Sequence, residues 1–211
     1  MAKRLIASLV MAAGLAFSAE AQAQVALDLK LGYALPTGSM VLDGSMSDIY
    51  SGAFVLGVDG RYRFTPNLSA GVYFQWNPAF VKSSFCDGAS CSGYDMRVGA
   101  EVAWAFMPGG GANPWLSLGT GWQWTQVQAS GGGLSASLTV NGWEYFNVQG
   151  GVDFPVASAF AIGPYLGYSG GTYTSGTGSL SGIGGSTESI PSSLRTFHGW
   201  FQFGLKGSLN L

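Results

Sequence analysis

The chain has 211 residues, a formal net charge of −2, and 9% charged residues against 47% hydrophobic and 14% aromatic ones. A soluble domain carries roughly 25% charged residues, so this chain is not built for a water-facing surface, and it lacks the basic balance that nucleic-acid binding demands. No run of about 18 apolar residues occurs, which excludes transmembrane helices and leaves the apolar character dispersed along the chain.

The N-terminus reads as an export signal. Lys3 and Arg4 form a basic start, residues 5–17 an apolar stretch too short to cross a bilayer, and Ala21-Gln22-Ala23 a small-x-small cleavage motif. The expectation is a signal peptide over residues 1–23 and one domain over residues 24–211.

Eight segments then alternate at period two, the pattern of strands with one apolar face. Residues 25–35 set Leu27, Leu29, Leu31 and Tyr33 against Asp28 and Lys30. Residues 50–64 set Phe54, Leu56, Val58 and Tyr62 against Asp59, Arg61 and Arg63. Residues 68–78 alternate through Val72, Phe74 and Trp76, and residues 94–107 through Met96, Val98, Val102, Trp104 and Phe106, opposite Asp95, Arg97 and Glu101. Residues 115–127 carry Leu116, Leu118, Trp122 and Trp124, and residues 142–154 carry Phe146, Val148, Val152 and Phe154 against Asp153. Residues 159–169 follow with Ile162, Leu166 and Tyr168, where Pro164 predicts a local break, since a closed barrel has no free edge to hold it. Residues 196–211 close the chain with Phe197, Phe201, Phe203, Leu205, Leu209 and Leu211 against His198, Gln202 and Lys206. A final strand so long suits a membrane barrel that closes with its last strand.

The connections alternate. Those over 36–49, 79–93, 128–141 and 170–195 are long, whereas 65–67, 108–114 and 155–158 are short and rich in Pro, Gly and Asn. Short periplasmic turns and long outer loops are the rhythm of outer-membrane barrels. The Ser/Gly/Thr-rich stretch 170–194 reads as a loop. Cys86 and Cys91 are the only cysteines, and in an exported protein they are expected to form a disulfide within an outer loop.

Ten strand charges share the glycine-bearing face: Asp28, Lys30, Asp59, Arg61, Arg63, Asp95, Arg97, Glu101, Asp153 and Lys206. Glu144 sits on the apolar parity at the end of its segment. A charge facing lipid near the midplane costs up to roughly 2–4 kcal/mol, and an eight-stranded interior is too narrow for all the Trp, Phe, Tyr and Leu of the apolar faces. The apolar face therefore meets lipid, and the five acids and five bases meet in the lumen, where even numbers permit a paired, plugging network. The expected fold is all-β: an eight-stranded antiparallel up-and-down transmembrane β-barrel. An index sum of 89 between the first two strands would oppose Asp28 to Arg61 and Lys30 to Asp59 directly.

The signal sequence, eight alternating segments, loop rhythm and closing strand resemble the small eight-stranded outer-membrane barrel family, which includes the OmpA transmembrane domain, the opacity-type proteins and OmpW. The resemblance implies an integral outer-membrane protein that contacts outer-membrane lipid and lipopolysaccharide and is inserted by the barrel assembly machinery through its C-terminal strand. Here that strand ends in Leu211 rather than Phe. Some relatives modify lipid A with a His, a Ser and an acid. The only histidine here stands in His198-Gly199-Trp200 with no serine two residues on, which opposes an enzyme. Tyr73, Trp143, Tyr145, Tyr165 and Trp200 have inward parity and would line an upper-lumen pocket if the chain resembles OmpW in admitting small hydrophobic molecules. The main expectation is a structural or surface-interaction barrel with no catalysis, no cofactor and no metal site; the surface ligand is not encoded in any motif.

Overall fold

The structure, a computed structural model, describes residues 25–40, 44–86, 89–132, 134–181 and 184–211; the leader over residues 1–23 lies outside them. Nine strands run in chain order: β1 Val25–Gly38, β2 Tyr50–Arg63, β3 Leu68–Val81, β4 Ser90–Ala105, β5 Asn113–Gly131, β6 Leu134–Pro155, β7 Phe160–Leu180, β8 Gly184–Ser189 and β9 Phe197–Asn210. Eight of them close into an antiparallel up-and-down barrel. The seam runs from Ala26↔Asn210 to Gly38↔His198 between β1 and β9, and β9 pairs on its other side with β7. β8 lies outside the ring, folded back on the upper part of β7.

Period-two alternation carries the barrel. Along β1 the exposure reads exposed, buried, exposed, buried from Val25 to Lys30, with Leu29 55% and Leu31 62% exposed while Asp28 is fully buried. Phe74, Trp76, Val102, Trp104, Leu118, Leu166, Phe203 and Leu205 are outward in the same way. This apolar belt suits lipid, where a closed ring of strands pairs its backbone without a free edge.

The short turns at one end are held by local bonds. Thr65 Oγ1 accepts from the amides of Asn67 (3.3 Å) and Leu68 (2.9 Å), and Asn67 Nδ2 donates to Ala105 O at 2.6 Å, tying two neighbouring turns together. At the other end the connections carry two single-turn helices, α1 (Met46–Ile49) and α2 (Ser83–Cys86). Ser45 and Asp48 form a capping box on α1. Cys86 and Cys91 are joined in a disulfide between α2 and the start of β4.

Four expectations need correction, the fourth being the register of β1 on β2. The stretch 128–141 is not a loop: β5 and β6 continue through it as a hairpin from Trp124↔Asn141 to Gly131↔Leu134. Residues 170–194 are likewise mostly strand, since β7 runs to Leu180 and β8 pairs back on it. A transmembrane strand needs about 9–11 residues. β5, β6 and β7 have 19, 22 and 21, so with β8 they raise a sheet wall on one side of the barrel. The third correction concerns facing, set out below. Pro164 does leave a mark: the β6–β7 ladder skips Gly163 and Pro164 and resumes in the same register, while pairing with β9 is unbroken.

Candidate functional site

The lumen is the candidate site, and alternation delivers its side chains. Asp28, Lys30, Asp59, Asp95, Arg97, Glu101 and Lys206 are all at most 5% exposed, and Arg61, Arg63 and Asp153 are half-buried. Strands β1 and β2 contribute the lower cluster. Lys30 pairs with Asp59, and Arg61 with Asp28. Arg61 also lies 3.7 Å from Glu101, and Lys206 stands 2.9 Å from Asp153 with its ammonium 3.8 Å above the Trp115 ring. Trp115 Nε1 in turn donates to Asp153 at 3.0 Å, so a cation, a carboxylate and an indole form one unit.

The register behind these pairs differs from the expected one. β1 and β2 pair with an offset that sets Asp28 opposite Asp59 and Lys30 opposite Gly57. Each base therefore reaches its acid diagonally. Diagonal neighbours lie within reach of long side chains, and only Lys and Arg have that length, so the two central carboxylates sit side by side and the flexible cations come to them. Gly57 makes this possible: a Cβ there would stand 3.2 Å from the Lys30 Cβ.

Above this cluster Arg97 lies between two acids. Its Nε donates to Asp95 at 2.7 Å, and its NH1 is 3.5 Å from Glu144. Asp95 also accepts from Asn77 Nδ2 (2.9 Å), Thr125 Oγ1 (2.9 Å) and Gln123 Nε2, and Glu144 accepts from the Tyr73 hydroxyl. Gln75 Nε2 bridges to Gln202 Oε1 at 2.9 Å, closing the section. His198 is buried, with Nε2 3.0 Å from Gln123 Oε1 and its ring stacked on Tyr173 at 3.7 Å.

Glu144 has the apolar parity in the sequence, yet it is fully buried in the lumen. The reason is a β-bulge in β6. Opposite Gly119 and Gly121 of β5 stand Asn147 and Glu144, so three steps of β6 span two of β5. The extra residue falls at Tyr145–Phe146 and inverts the facing of everything above it. Trp143 and Tyr145, expected inside, are consequently 44% and 53% exposed on the lipid side. The ring of Trp143 meets Trp122 edge-on at 5.9 Å. Tyr73, Tyr165 and Trp200 are buried, but at different levels. Tyr165 is level with Gly204 of β9, and Trp200 lies four residues, about 13 Å, further along that strand.

Trp200 instead belongs to an apolar cluster that sequence reasoning missed. Its ring centroid is 5.8 Å from that of Tyr50, and both are fully buried. Met40 and Met46 enter from the first outer connection and α1, and Val127, Val140 and Tyr173 complete the layer from the wall strands. Composition gave no signal for Met40 or Met46, because a single helical turn in an outer loop has no periodicity to read. The missed Glu144 did have one: an acid at a lipid-facing position is itself evidence that the parity is wrong. Among the described residues no group of three His, Cys, Asp or Glu side chains could hold a metal ion.

Eight antiparallel strands closed first to last, an apolar belt outside and ion pairs within define an integral β-barrel of the outer-membrane type. Solved structures share the fold. Neisserial surface protein A is 15% identical with a TM-score of 0.51, over 92% of this chain and 100% of that one. The outer membrane protein OprG from Pseudomonas aeruginosa is 13% identical with a TM-score of 0.53, over 89% and 97%. A major outer membrane protein from Thermus thermophilus is 9% identical with a TM-score of 0.57, over 88% and 99%. At these identities the likeness is one of fold. No protein-family model matches the chain, and neither does any curated protein sequence.

Proposed function

We propose that the protein is a non-catalytic outer-membrane component of structural or surface-interaction type, whose lumen does not conduct. What supports this reading is the packing of side chains across the lumen at two levels. The section around Arg97 is spanned by side chains from β3, β4, β5, β6 and β9 bonded to one another, and the apolar cluster around Met46 and Trp200 lies above it. A solute crossing that section must separate buried ion pairs, and removing one partner of such a pair costs about 3–5 kcal/mol. Support for the absence of catalysis comes from His198, which is 1% exposed and bonded and stacked inside the barrel wall rather than presented to lipid. Insertion by the barrel assembly machinery and contact with lipopolysaccharide follow from the same reading.

Planar-bilayer recording on the refolded protein tests it. The expected result is no resolved single-channel steps. Steps on the nanosiemens scale would overturn it. Passage of small hydrophobic molecules is the competing reading, favoured by the apolar character of the cluster. Saturable uptake of such a solute into liposomes bearing the protein, with no ionic conductance, would establish that reading instead.

A further inference from the structure

The wall of β5, β6, β7 and β8 has two unlike faces. A second bulge, at Thr174 of β7, lies between Gly142↔Tyr173 and Asn141↔Ser175 and keeps the facing of β7 matched to β6 above it. Toward the barrel axis the wall shows Leu134, Leu138 and Leu180. Its outward face is a field of hydroxyls and carboxamides. Ser137 and Ser179 bond across the strands at 2.7 Å, Thr177 and Thr187 at 2.8 Å, and Asn141 Nδ2 reaches Ser175 Oγ at 3.4 Å. Gln126 and Gln128 of β5 extend the field, and among the described residues this face carries no charged side chain.

The field begins where the lipid belt ends. Trp124 pairs with Asn141, and just below them are Trp122 and Trp143, with the Tyr145 hydroxyl 2.8 Å from Thr172 Oγ1. Trp and Tyr concentrate at the boundary between hydrocarbon and headgroups. The next layer outward in an outer leaflet is the saccharide of lipopolysaccharide.

We infer that the outward face of this wall binds the neutral saccharide chain of the surrounding lipopolysaccharide. Sugar hydroxyls both donate and accept, as do the Ser and Thr hydroxyls and the Gln and Asn carboxamides facing them. Sugar C–H faces pack on aromatic rings, which the Trp and Tyr shelf supplies at the base of the wall. Because the hydroxyls are already ordered by their cross-strand bonds, little side-chain freedom is lost on binding. The absence of Lys and Arg on this face directs the contact to sugars and not to phosphates. This inference rests on the outer-membrane placement proposed above.

The test uses core oligosaccharide released from lipopolysaccharide by mild acid and then dephosphorylated, titrated calorimetrically into the protein folded in detergent micelles. Saturable binding is expected. The triple variant Thr139→Val, Thr177→Val, Thr187→Val keeps the β-branched shapes and removes the Thr177–Thr187 pair together, so no hydroxyl is orphaned. It is expected to melt at the same temperature and to bind at least about tenfold more weakly, because three hydroxyls that would bond the sugar are gone. Failure of the native protein to bind, or equal binding by the triple variant, overturns the inference. So does a preference for a chitooligosaccharide over the core oligosaccharide. Membrane fractionation separates the two readings. A protein absent from the outer membrane overturns the proposed function, whereas one present there that ignores the oligosaccharide overturns this inference alone.

Discussion

The lower lumen, around Asp28, Lys30, Asp59 and Arg61, and the upper lumen, around Met46, Tyr50, Tyr173 and Trp200, pack one barrel by different means. Below the β6 bulge, side chains of opposite charge neutralise one another along the strands, and long cations adjust to fixed carboxylates. Above it, apolar side chains from a loop helix, the wall strands, β2 and β9 pack together. Glu144, at the bulge itself, reaches Arg97 and Tyr73. The difference teaches that a lipid-facing exterior does not dictate a charged interior: Val55 points inward between the outward Phe54 and Leu56, and Trp200 points inward beside Phe201. Once the strands rise past the belt, the inner face is free to be apolar and the outer face polar, as the wall shows.

The largest effect should come from erasing the boundary. Deleting Phe146 removes the extra residue of β6, turning Trp143 inward and Glu144 toward lipid while leaving Arg97 short of an acid. The variant is expected not to reach the folded, heat-modifiable form on unheated gels. A normal folded band would show that the bulge can reform elsewhere.

Next is the cation between two acids. Arg97→Leu leaves Asp95 and Glu144 facing each other without it, a loss of about 3–5 kcal/mol, read as a lower denaturation midpoint in micelles. Adding Glu144→Gln should recover part of that loss. An unchanged midpoint for Arg97→Leu would mean that the section is not held by this pair.

Met46→Ala tests the apolar cluster separately. Truncating a fully buried Met costs about 2–5 kcal/mol, toward the low end here because α1 is a single turn that can settle. Conductance is expected to stay absent, because the network below is untouched. Channel openings in this variant would make the apolar cluster, not the charges, the barrier.

The smallest effect is the disulfide, which bridges residues five apart; opening so short a loop costs at most about 2 kcal/mol. Thiol labelling of intact cells should give no signal until a reductant is added.

Much of the barrel was legible because the physical rule behind it is local. Lipid forbids charge, so Leu27 to Leu31 and Phe201 to Leu205 state their facing in a few residues, and the closing pair β1–β9 follows from having no edge in a membrane. The register of β1 on β2 was less legible, because diagonal and direct ion pairs use the same residues and differ only by a shift that long side chains absorb. The wall was hidden for a compositional reason: its Ser, Gly and Thr residues read as loop when considered singly, and their strand character comes from pairing with one another.

The sequence by itself determined that this chain closes as an eight-stranded barrel with lipid outside and charge inside, because alternation at period two and the cost of a charge in hydrocarbon leave no other arrangement. Only the tertiary structure decided where that alternation slips. A bulge is one extra residue measured against a neighbouring strand, and Tyr145 and Phe146 become extra only once Asn147 and Glu144 are held opposite Gly119 and Gly121. From that one contact follow the burial of Glu144, the lipid facing of Trp143 and Tyr145, and the hydroxylated outer face of the wall.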